Sequence, residues 1–283
     1  MSHQQQWTIM SVVNTQSAEM KLAFAAAKAA GKLLTNEASE FTQEQISYKS
    51  AVDLVTDCDR QSENLIIETL ASSNIPVFAE ESQLLSLRNH IIHKKSCWIV
   101  DPLDGTTNFA HGFTHYSISI ALMIEGELNL GVVFNPNTGE MFSAQKGCGA
   151  WCNDNPIKSK DSSLDQALLL TGFPYDRRDK SSFYLRYFEH LLQNCQGIRR
   201  PGSAALDLAY VAAGRANGFW EFGLQPWDVA AGIVLAEEAG ARVSNLYGSH
   251  RSLYAPHYLV APHNLHREML ALLKKLEPHE CQV

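Results

Sequence analysis

The spacing of apolar residues predicts two helices before any strand. Residues 17–35 are alanine-rich, and one face of the predicted helix carries Met20, Phe24, Ala27, Gly31 and Leu34. Residues 46–59 are more polar and predict a loop. Residues 60–73 return to helical intervals, with Leu65, Ile66 and Leu70 apolar. The chain therefore opens as two helices joined by a polar loop.

The middle of the chain has short apolar runs that predict strands at 77–78, 98–100, 117–124, 128–134 and 140–144. Tight connections at 125–127 and 135–137 favour an antiparallel meander. After Cys148 strands alternate with helices: strands at 167–171, 218–221 and 258–261, and helices at 181–195, 204–213, 229–239 and 266–276. We predict an α+β protein with a boundary near residue 155. Residues 1–154 form one half and residues 155–283 the other.

Composition narrows the class of protein. The chain has 283 residues, of which 45% are hydrophobic, and its formal charge is −7. That charge argues against a general nucleic-acid binder, which holds phosphates with clustered basic residues. The amino-terminal residues lack the apolar core of a signal peptide, and no run is long enough to span a membrane. Six scattered cysteines are typical of reduced thiols, so we expect a cytoplasmic protein.

The stretch from Trp98 to Phe113 contains most of the candidate chemistry. Its apolar run ends at Asp101, and Pro102 lacks the amide that a central strand needs, so we expect a turn there. A second carboxylate, Asp104, precedes amides and hydroxyls that can face an anion, those of Gly105, Thr106 and Thr107. Close carboxylates repel one another unless a proton or a metal ion intervenes, and hard oxygen ligands favour magnesium. The alternative is that Asp-Pro and Asp-Gly only mark turns.

This stretch resembles the signature of the inositol monophosphatase family. Further blocks follow in the family's order and cover nearly the whole chain: Lys49, 53–59, 79–82, 202–205, Glu221 and 226–230. The likeness is greatest to bacterial inositol-1-monophosphatases. It implies a layered α-β-α-β-α sandwich of the sugar-phosphatase type, usually a homodimer. It also implies magnesium-dependent, lithium-sensitive hydrolysis of a sugar or polyol phosphate, with myo-inositol monophosphate as the favoured substrate.

The resemblance also implies a set of metal ligands. Glu80, Asp101 and the Leu103 carbonyl would hold a first Mg²⁺, and Asp101, Asp104 and Asp228 would hold a second. A third, weaker ion would sit on Glu80 and waters, so that two to three ions take part. Glu80 is also implied as a catalytic residue.

The remaining implied roles concern water and substrate. Thr106 would orient the attacking water, and Asp59 would accept a hydrogen bond from Thr106. The attack would be in line, without a covalent phosphoenzyme. The residues implied to contact substrate are Lys49, Gly105, Thr106, Gly202, Ser203, Ala204 and Glu221. Two positions depart from the family pattern: Ala79 stands where glycine is common, and Asp57 adds a carboxylate.

Each implied residue also has a structural interpretation. Glu80 and Glu81 can complement a helix dipole, and Asp228 has the position of a helix N-cap. Glu221 can be a solvated carboxylate at a strand end, and Lys49 an exposed charge. His111 and His115 are four residues apart, but without a third ligand they do not favour a zinc site.

Three functional alternatives stay open. A haloacid-dehalogenase-like phosphatase uses Asp-x-Asp-Gly-Thr, whereas the two aspartates here are one residue further apart, which reverses a side chain's face in a strand. Related enzymes act on fructose 1,6-bisphosphate, 3′-phosphonucleotides, histidinol phosphate or NADP. Finally, the protein can be a partner in transcription or ribosome biogenesis, with Arg177–Arg178 and Arg199–Arg200 as possible contacts.

Overall fold

The computed structural model describes residues 17–38, 46–50, 53–82, 95–249 and 252–276. Within these ranges the α-helices are α1 (Ala18–Ala38), α2 (Asp57–Leu70), α3 (Thr106–Ala110), α4 (Arg177–Leu192), α5 (Ala204–Ala212), α6 (Pro226–Glu238) and α7 (His263–Leu273). The strands are β1 (Ile46–Ser50), β2 (Asp53–Thr56), β3 (Val77–Ala79), β4 (Cys97–Asp104), β5 (Ser117–Ile124), β6 (Glu127–Asn135), β7 (Glu140–Gln145), β8 (Ala150–Cys152), β9 (Asn155–Ile157), β10 (Leu168–Thr171), β11 (Gly197–Arg199), β12 (Gly218–Phe222), β13 (Ala241–Ser244) and β14 (His257–Pro262). None of the helices in the described part of the chain is long and apolar enough to cross a bilayer.

The strands form two large sheets and one hairpin. The larger sheet has the order β3-β4-β5-β6-β7-β8-β9, and all its neighbours are antiparallel except β3 and β4. The smaller sheet has the order β11-β10-β12-β14-β13 and is mixed. Strands β1 and β2 pair as a separate antiparallel hairpin. The meander predicted for the middle of the chain is thereby confirmed from β4 onward.

Helices and sheets alternate in five layers. Helices α1 and α2 cover one face of the larger sheet, and α5 and α6 lie between the two sheets. Helices α4 and α7 cover the outer face of the smaller sheet. Because α6 contacts both sheets, it is apolar on every side rather than along one stripe. The predicted α-β-α-β-α sandwich is confirmed.

Two glycines allow the layers to approach closely. A Cβ on Gly131 of β6 would lie 2.5 Å from the carbonyl oxygen of Ala231 in α6. A Cβ on Gly232 of α6 would lie 2.5 Å from the Cβ of Leu208 in α5. Larger residues at these positions would push α6 away from its neighbours, and α6 begins beside the candidate site.

The loop predicted for residues 46–59 is wrong. Most of this segment forms β1 and β2, and α2 begins earlier than predicted, at Asp57. Thr56 starts the helix because its side chain accepts from the amide of Asp59 while the Asp59 carboxylate accepts from the amide of Thr56, a reciprocal capping box. The predicted division at residue 155 stays a prediction. The larger sheet ends with β9 at Ile157, and the smaller one begins with β10 at Leu168.

The turn predicted at Pro102 is also wrong. Strand β4 continues through Pro102 to Asp104, with a shift of register against β5 between Asp101 and Asp104. Proline is tolerated at such a bulge because the ladder is interrupted there and no amide hydrogen is needed. The strand therefore carries both aspartates itself.

Candidate active site

A pocket of about 470 Å³ opens at the end of β4. It is lined by almost all of the residues that the sequence singled out: Glu80, Asp101, Leu103, Asp104, Gly105, Thr106, Gly202, Ser203, Ala204, Glu221 and Asp228. These residues come from five separate segments of the chain. The fold thus brings together side chains that are up to 148 positions apart in sequence, from Glu80 to Asp228.

The bulge in β4 explains how Asp101 and Asp104 reach the same pocket. Residues three apart in a regular strand point to opposite faces of the sheet. Here Asp101 lies opposite Ser119 and Asp104 opposite Ser117, so three steps along β4 match two along β5. The extra residue reverses the alternation and aims both carboxyl groups at the pocket.

Asp104 is held by the start of helix α5. Its Oδ2 accepts hydrogen bonds from Ser203 Oγ at 2.5 Å and from the Ala205 amide at 2.8 Å. Its Oδ1 has a longer contact of 3.3 Å with the Ala204 amide. The amides in the first turn of α5 thus bind Asp104, and they place this carboxylate against the positive end of the helix dipole.

The other two acids are fixed by backbone contacts. The Glu80 amide donates to the carbonyl of Val100 at 3.2 Å, which sets Glu80 beside the start of the bulge. Asp228 is not the N-cap of its helix, because Pro226 takes the first helical position and Gln225 is the cap. Asp228 instead accepts from the Gln225 amide through Oδ2 at 2.7 Å.

The acidic groups repel one another strongly. Burial raises the pKa of Asp101 well above its ordinary value, and the charges of Glu80, Asp104 and Asp228 raise it further. Burial, followed by the charges of Glu80 and Asp104, likewise raises the pKa of Asp228. Burial also raises the pKa of Asp104, although the hydrogen bonds that Asp104 accepts from Ser203 and Ala205 act to lower this pKa. Such mutual repulsion is a recurrent property of sites that take a cation or a shared proton.

The donor set fits a hard divalent cation. No three acidic, histidine or cysteine side chains within the described ranges already stand in the arrangement of bound-metal ligands. The lining nevertheless offers several oxygen donors in one pocket, among them the carboxylates of Glu80, Asp101, Asp104 and Asp228 and the Leu103 carbonyl. Oxygen donors of this kind suit Mg²⁺ better than they suit zinc or copper. A positive ion would also offset the repulsion among the carboxylates.

Thr106 and Asp59 form a hydrogen-bonded pair behind the pocket. Thr106 Oγ1 lies 3.0 Å from Asp59 Oδ1 and 3.1 Å from the Leu103 carbonyl. Asp59 Oδ2 accepts from the amide and the hydroxyl of Thr56 at 2.8 and 2.5 Å. Burial raises the pKa of Asp59 to about 6, although the hydrogen bonds from Thr56 and Thr106 act to lower this pKa. The role of the pair in orienting water stays a prediction.

Glu221 is buried in the wall of the pocket rather than solvated at a strand end. It is 8% exposed, and a Cβ on Gly172 would lie 2.0 Å from its Oε1, so only glycine leaves room for it. Burial and then the charge of Asp207 raise the pKa of Glu221 well above its ordinary value, while Arg200 lowers it. The carboxyl group can accept hydrogen bonds from hydroxyl groups, and whenever it is protonated it can also donate one.

Sequence reasoning missed several residues of this region. The lining also includes Phe173 and Tyr175, and it includes Arg177 and Arg200, which the sequence suggested only as contacts for a protein partner. Asp207 lies behind the site, and its signal was a carboxylate within the otherwise apolar run of α5. Thr56 could have been found from its spacing of three residues to Asp59.

Three predicted features are not tested. Lys49 lies on β1, but its side chain is outside the described residues. Asp57 is largely exposed and lies 3.5 Å from Arg60. Ala79 is buried in β3. Neither Asp57 nor Ala79 lines the pocket.

Comparisons with known proteins agree with this geometry. The model of the inositol monophosphatase family matches residues 16–278. A Nus factor SuhB of Pseudomonas aeruginosa is 40% identical, over 92% of this chain and 96% of that protein. An inositol-1-monophosphatase of Rhizobium meliloti is 42% identical, over 80% of this chain and 85% of that protein.

Solved structures share the fold. The extragenic suppressor protein suhB from Bartonella henselae superposes with a TM-score of 0.85 at 36% identity, covering 92% of this chain and 99% of that one. An inositol monophosphatase from Anabaena superposes with a TM-score of 0.80 at 37% identity, covering 92% of this chain and 96% of that one.

Proposed function

Because the chain belongs to the inositol monophosphatase family, we propose that it is a Mg²⁺-dependent phosphatase that hydrolyses myo-inositol monophosphate to myo-inositol and phosphate. The observation that carries the proposal is the bulge in β4, which turns Asp101 and Asp104 into the pocket that Glu80 and Asp228 also line. We assign the ligand roles to these four residues and to the Leu103 carbonyl, for two to three ions. When bound there, Mg²⁺ supplies positive charge to the phosphoryl oxygens and makes water a better nucleophile.

The protein's own groups hold the protons of the reaction. The Thr106 hydroxyl has one proton to give, and Asp59 Oδ1 is its closer acceptor. While its hydroxyl donates a hydrogen bond to Asp59, the Thr106 oxygen can accept a hydrogen bond from the attacking water. Asp59 has its pKa at about 6 and is mostly ionised at neutral pH, so it can take up the Thr106 proton as Thr106 receives one from the water.

The other end of the site suits a polyol. Glu221 offers a carboxyl group to vicinal hydroxyls, and Gly202, Ser203 and Ala204 line the pocket beside it. Gly202 has a positive φ of 98°, and a side chain there would meet Arg200 and Asn108. We assign these residues, with Gly105, to substrate binding. Their size and polarity favour a substrate that is a small ring with several hydroxyl groups.

The test is phosphate release by the purified protein across a panel of esters. The panel contains myo-inositol 1-phosphate, fructose 1,6-bisphosphate, a 3′-phosphonucleotide, histidinol phosphate and NADP, each with Mg²⁺ or with EDTA, and with or without Li⁺. We expect Mg²⁺-dependent, Li⁺-inhibited turnover that is fastest with the inositol phosphate. A preference for another ester would replace the substrate, and no turnover of any ester would refute the enzymatic proposal.

A second candidate function rests on the names of the relatives. Proteins called Nus factor SuhB in Pseudomonas aeruginosa and Escherichia coli are 40% and 37% identical to this chain. We therefore also propose a partner role in transcription or ribosome biogenesis, and a homodimeric state. A pulldown in which Asp104→Asn retains the wild-type partners supports a role that is independent of catalysis. Sedimentation of the free protein tests the dimer.

A further inference from the structure

A histidine and an aspartate face each other behind the candidate site. Nε2 of His115 lies 3.5 Å from Oδ1 of Asp207, and neither atom has a hydrogen-bond partner among the described residues. Asp207 is 1% exposed. A buried polar atom left unpaired destabilises the folded state, whereas a single proton shared between these two atoms would satisfy both.

The pair joins the two segments that hold Asp104. His115 lies two residues before Ser117, and Asp207 lies one turn after Ser203. Ser117 Oγ is 3.2 Å from Ser203 Oγ and 3.4 Å from Asp104 Oδ2. The start of β5 and the start of α5 therefore meet twice, once at Asp104 and once at the His115–Asp207 pair.

The histidine is fixed by further contacts. Its ring packs edge-on against Tyr210, which is one turn beyond Asp207 on α5, with ring centroids 5.7 Å apart. Its carbonyl oxygen accepts from Asn108 Nδ2 at 2.6 Å, and the same amide donates to the Pro201 carbonyl at 2.9 Å. The ring is thus clamped to α5, and its backbone is tied to the loop that leads into α5.

We propose that His115 and Asp207 are a positioning pair that keeps Asp104 aimed at the metal, an inference that rests on the proposed function. Three donors hold Asp104 Oδ2, namely Ser203 Oγ, the Ala205 amide and Ser117 Oγ. Oδ1 has only the 3.3 Å contact with Ala204 and would be the oxygen available to an ion. Loss of the pair loosens α5 from β5 and lets Oδ1 turn away. Groups that hydrogen-bond a metal ligand typically contribute 10–100-fold to metal affinity, and the pair positions two of them, Ser117 and Ser203.

The test measures metal binding without substrate. Mn²⁺ serves as the probe because it takes the same oxygen ligands as Mg²⁺ and is visible by electron paramagnetic resonance. We expect His115→Phe and Asp207→Leu each to weaken Mn²⁺ binding about tenfold and to raise the Mg²⁺ concentration for half-maximal turnover in parallel. The double variant should bind no more weakly than the worse single one, since neither partner is then left unpaired. Asp207→Asn keeps a hydrogen-bonding group of the same shape opposite His115 and should bind Mn²⁺ nearly as the wild type does.

A second buried histidine provides the control. His266 is 1% exposed and lies 2.8 Å from Ser244 Oγ, outside the pocket. His266→Phe should lower the melting temperature and leave Mn²⁺ affinity unchanged. If the His115 and Asp207 variants also lose only thermal stability, the pair is structural and the inference is refuted, while the proposed function stands. A wild-type protein that neither binds Mn²⁺ nor hydrolyses phosphate esters would refute both.

Discussion

Each aspartate that lines the site has one oxygen fixed by the protein. Asp101 Oδ1 accepts from the Leu103 amide at 3.0 Å, and Asp228 Oδ2 from the Gln225 amide at 2.7 Å. Asp104 Oδ2 is held by the Ser203 hydroxyl and the Ala205 amide. The carboxyl groups are therefore oriented before any ligand arrives, which lowers the cost of assembling a binding site.

Asp59 should make the stability of the metal-free protein depend on pH. Its pKa is raised from 3.8 to about 6, so the folded state holds the proton more tightly than the unfolded state does. The resulting stabilisation is present below pH 3.8 and is lost as the pH rises through 6. Between pH 4 and pH 7 the wild type should lose roughly 2 kcal/mol relative to Asp59→Asn. Urea unfolding of both proteins in EDTA at several pH values measures this difference.

Asp165→Asn is the matched control, because Asp165 is exposed and lies outside the pocket. Its unfolding free energy should run parallel to that of the wild type across the same pH range. If the Asp59→Asn curve is parallel as well, Asp59 titrates at its ordinary pKa and does not carry the proton assigned to it.

At the scale of elements, the close contact between β6 and α6 fixes the position of α6, the helix that carries Asp228. Gly131→Ala should destabilise the protein by about 2 kcal/mol, because the added methyl group meets the backbone of Ala231 and neither element can yield easily. Gly197→Ala on the edge strand β11 is the control, since its nearest neighbour lies at an ordinary 3.4 Å. Urea unfolding should separate the two variants. Equal stabilities would mean that the layers can move apart without cost.

The sequence predicted the helices and most strands because their apolar spacing is local. For α1 the predicted range was 17–35 and the observed range is Ala18–Ala38. For β5 the predicted range, 117–124, is the observed one. The prediction failed for β1 and β2, which are short and pair only with each other among the described strands, and for the short strands β8, β9, β11 and β13. It also ended β4 too early, because Pro102 breaks a regular strand but not a bulged one.

The site was predicted in its members rather than in its geometry. The residues came from the family's motifs, and the pocket is lined by all of them except Asp59, and Lys49, whose side chain is outside the described residues. Periodicity could not have shown that Glu221 is buried against Gly172, or that His115 meets Asp207. Such contacts join residues that are distant in sequence, and neither local propensity nor spacing encodes them.

At the scale of the whole molecule, the layers bring the end of β4 together with the first turns of α5 and α6. Asp104 contacts α5 directly, and Ser119 of β5 donates to the carbonyl of Trp227 at the start of α6 at 3.2 Å. The proposed ligands are thus divided between α6, which carries Asp228, and the edge of the larger sheet. Binding of a cation should therefore stabilise the whole fold and not only one loop.

Magnesium should raise the melting temperature more at pH 8 than at pH 5.5. Without metal, the raised pKa values of Asp101 and Asp228 mean that stability falls as these groups lose their protons with rising pH. The ion and the protons compete for the same carboxylates. The stabilisation of the folded protein by Mg²⁺ therefore increases as the carboxyl groups become deprotonated. At a concentration 100 times its dissociation constant it should contribute about 2.7 kcal/mol. Calorimetry with MgCl₂ or with NaCl of equal ionic strength checks this, and an equal shift with both salts would contradict it.

The most direct test of the account is the rate of phosphate release from myo-inositol 1-phosphate by the wild type and by Asp104→Asn, each titrated with Mg²⁺. The account predicts that the wild type needs Mg²⁺ and that Asp104→Asn stays folded while its turnover falls by about 100-fold or more. Asp165→Asn, at an exposed position, should match the wild type. Turnover without Mg²⁺, or near-normal turnover by Asp104→Asn, would contradict the assignment of this pocket as a metal-dependent phosphatase site.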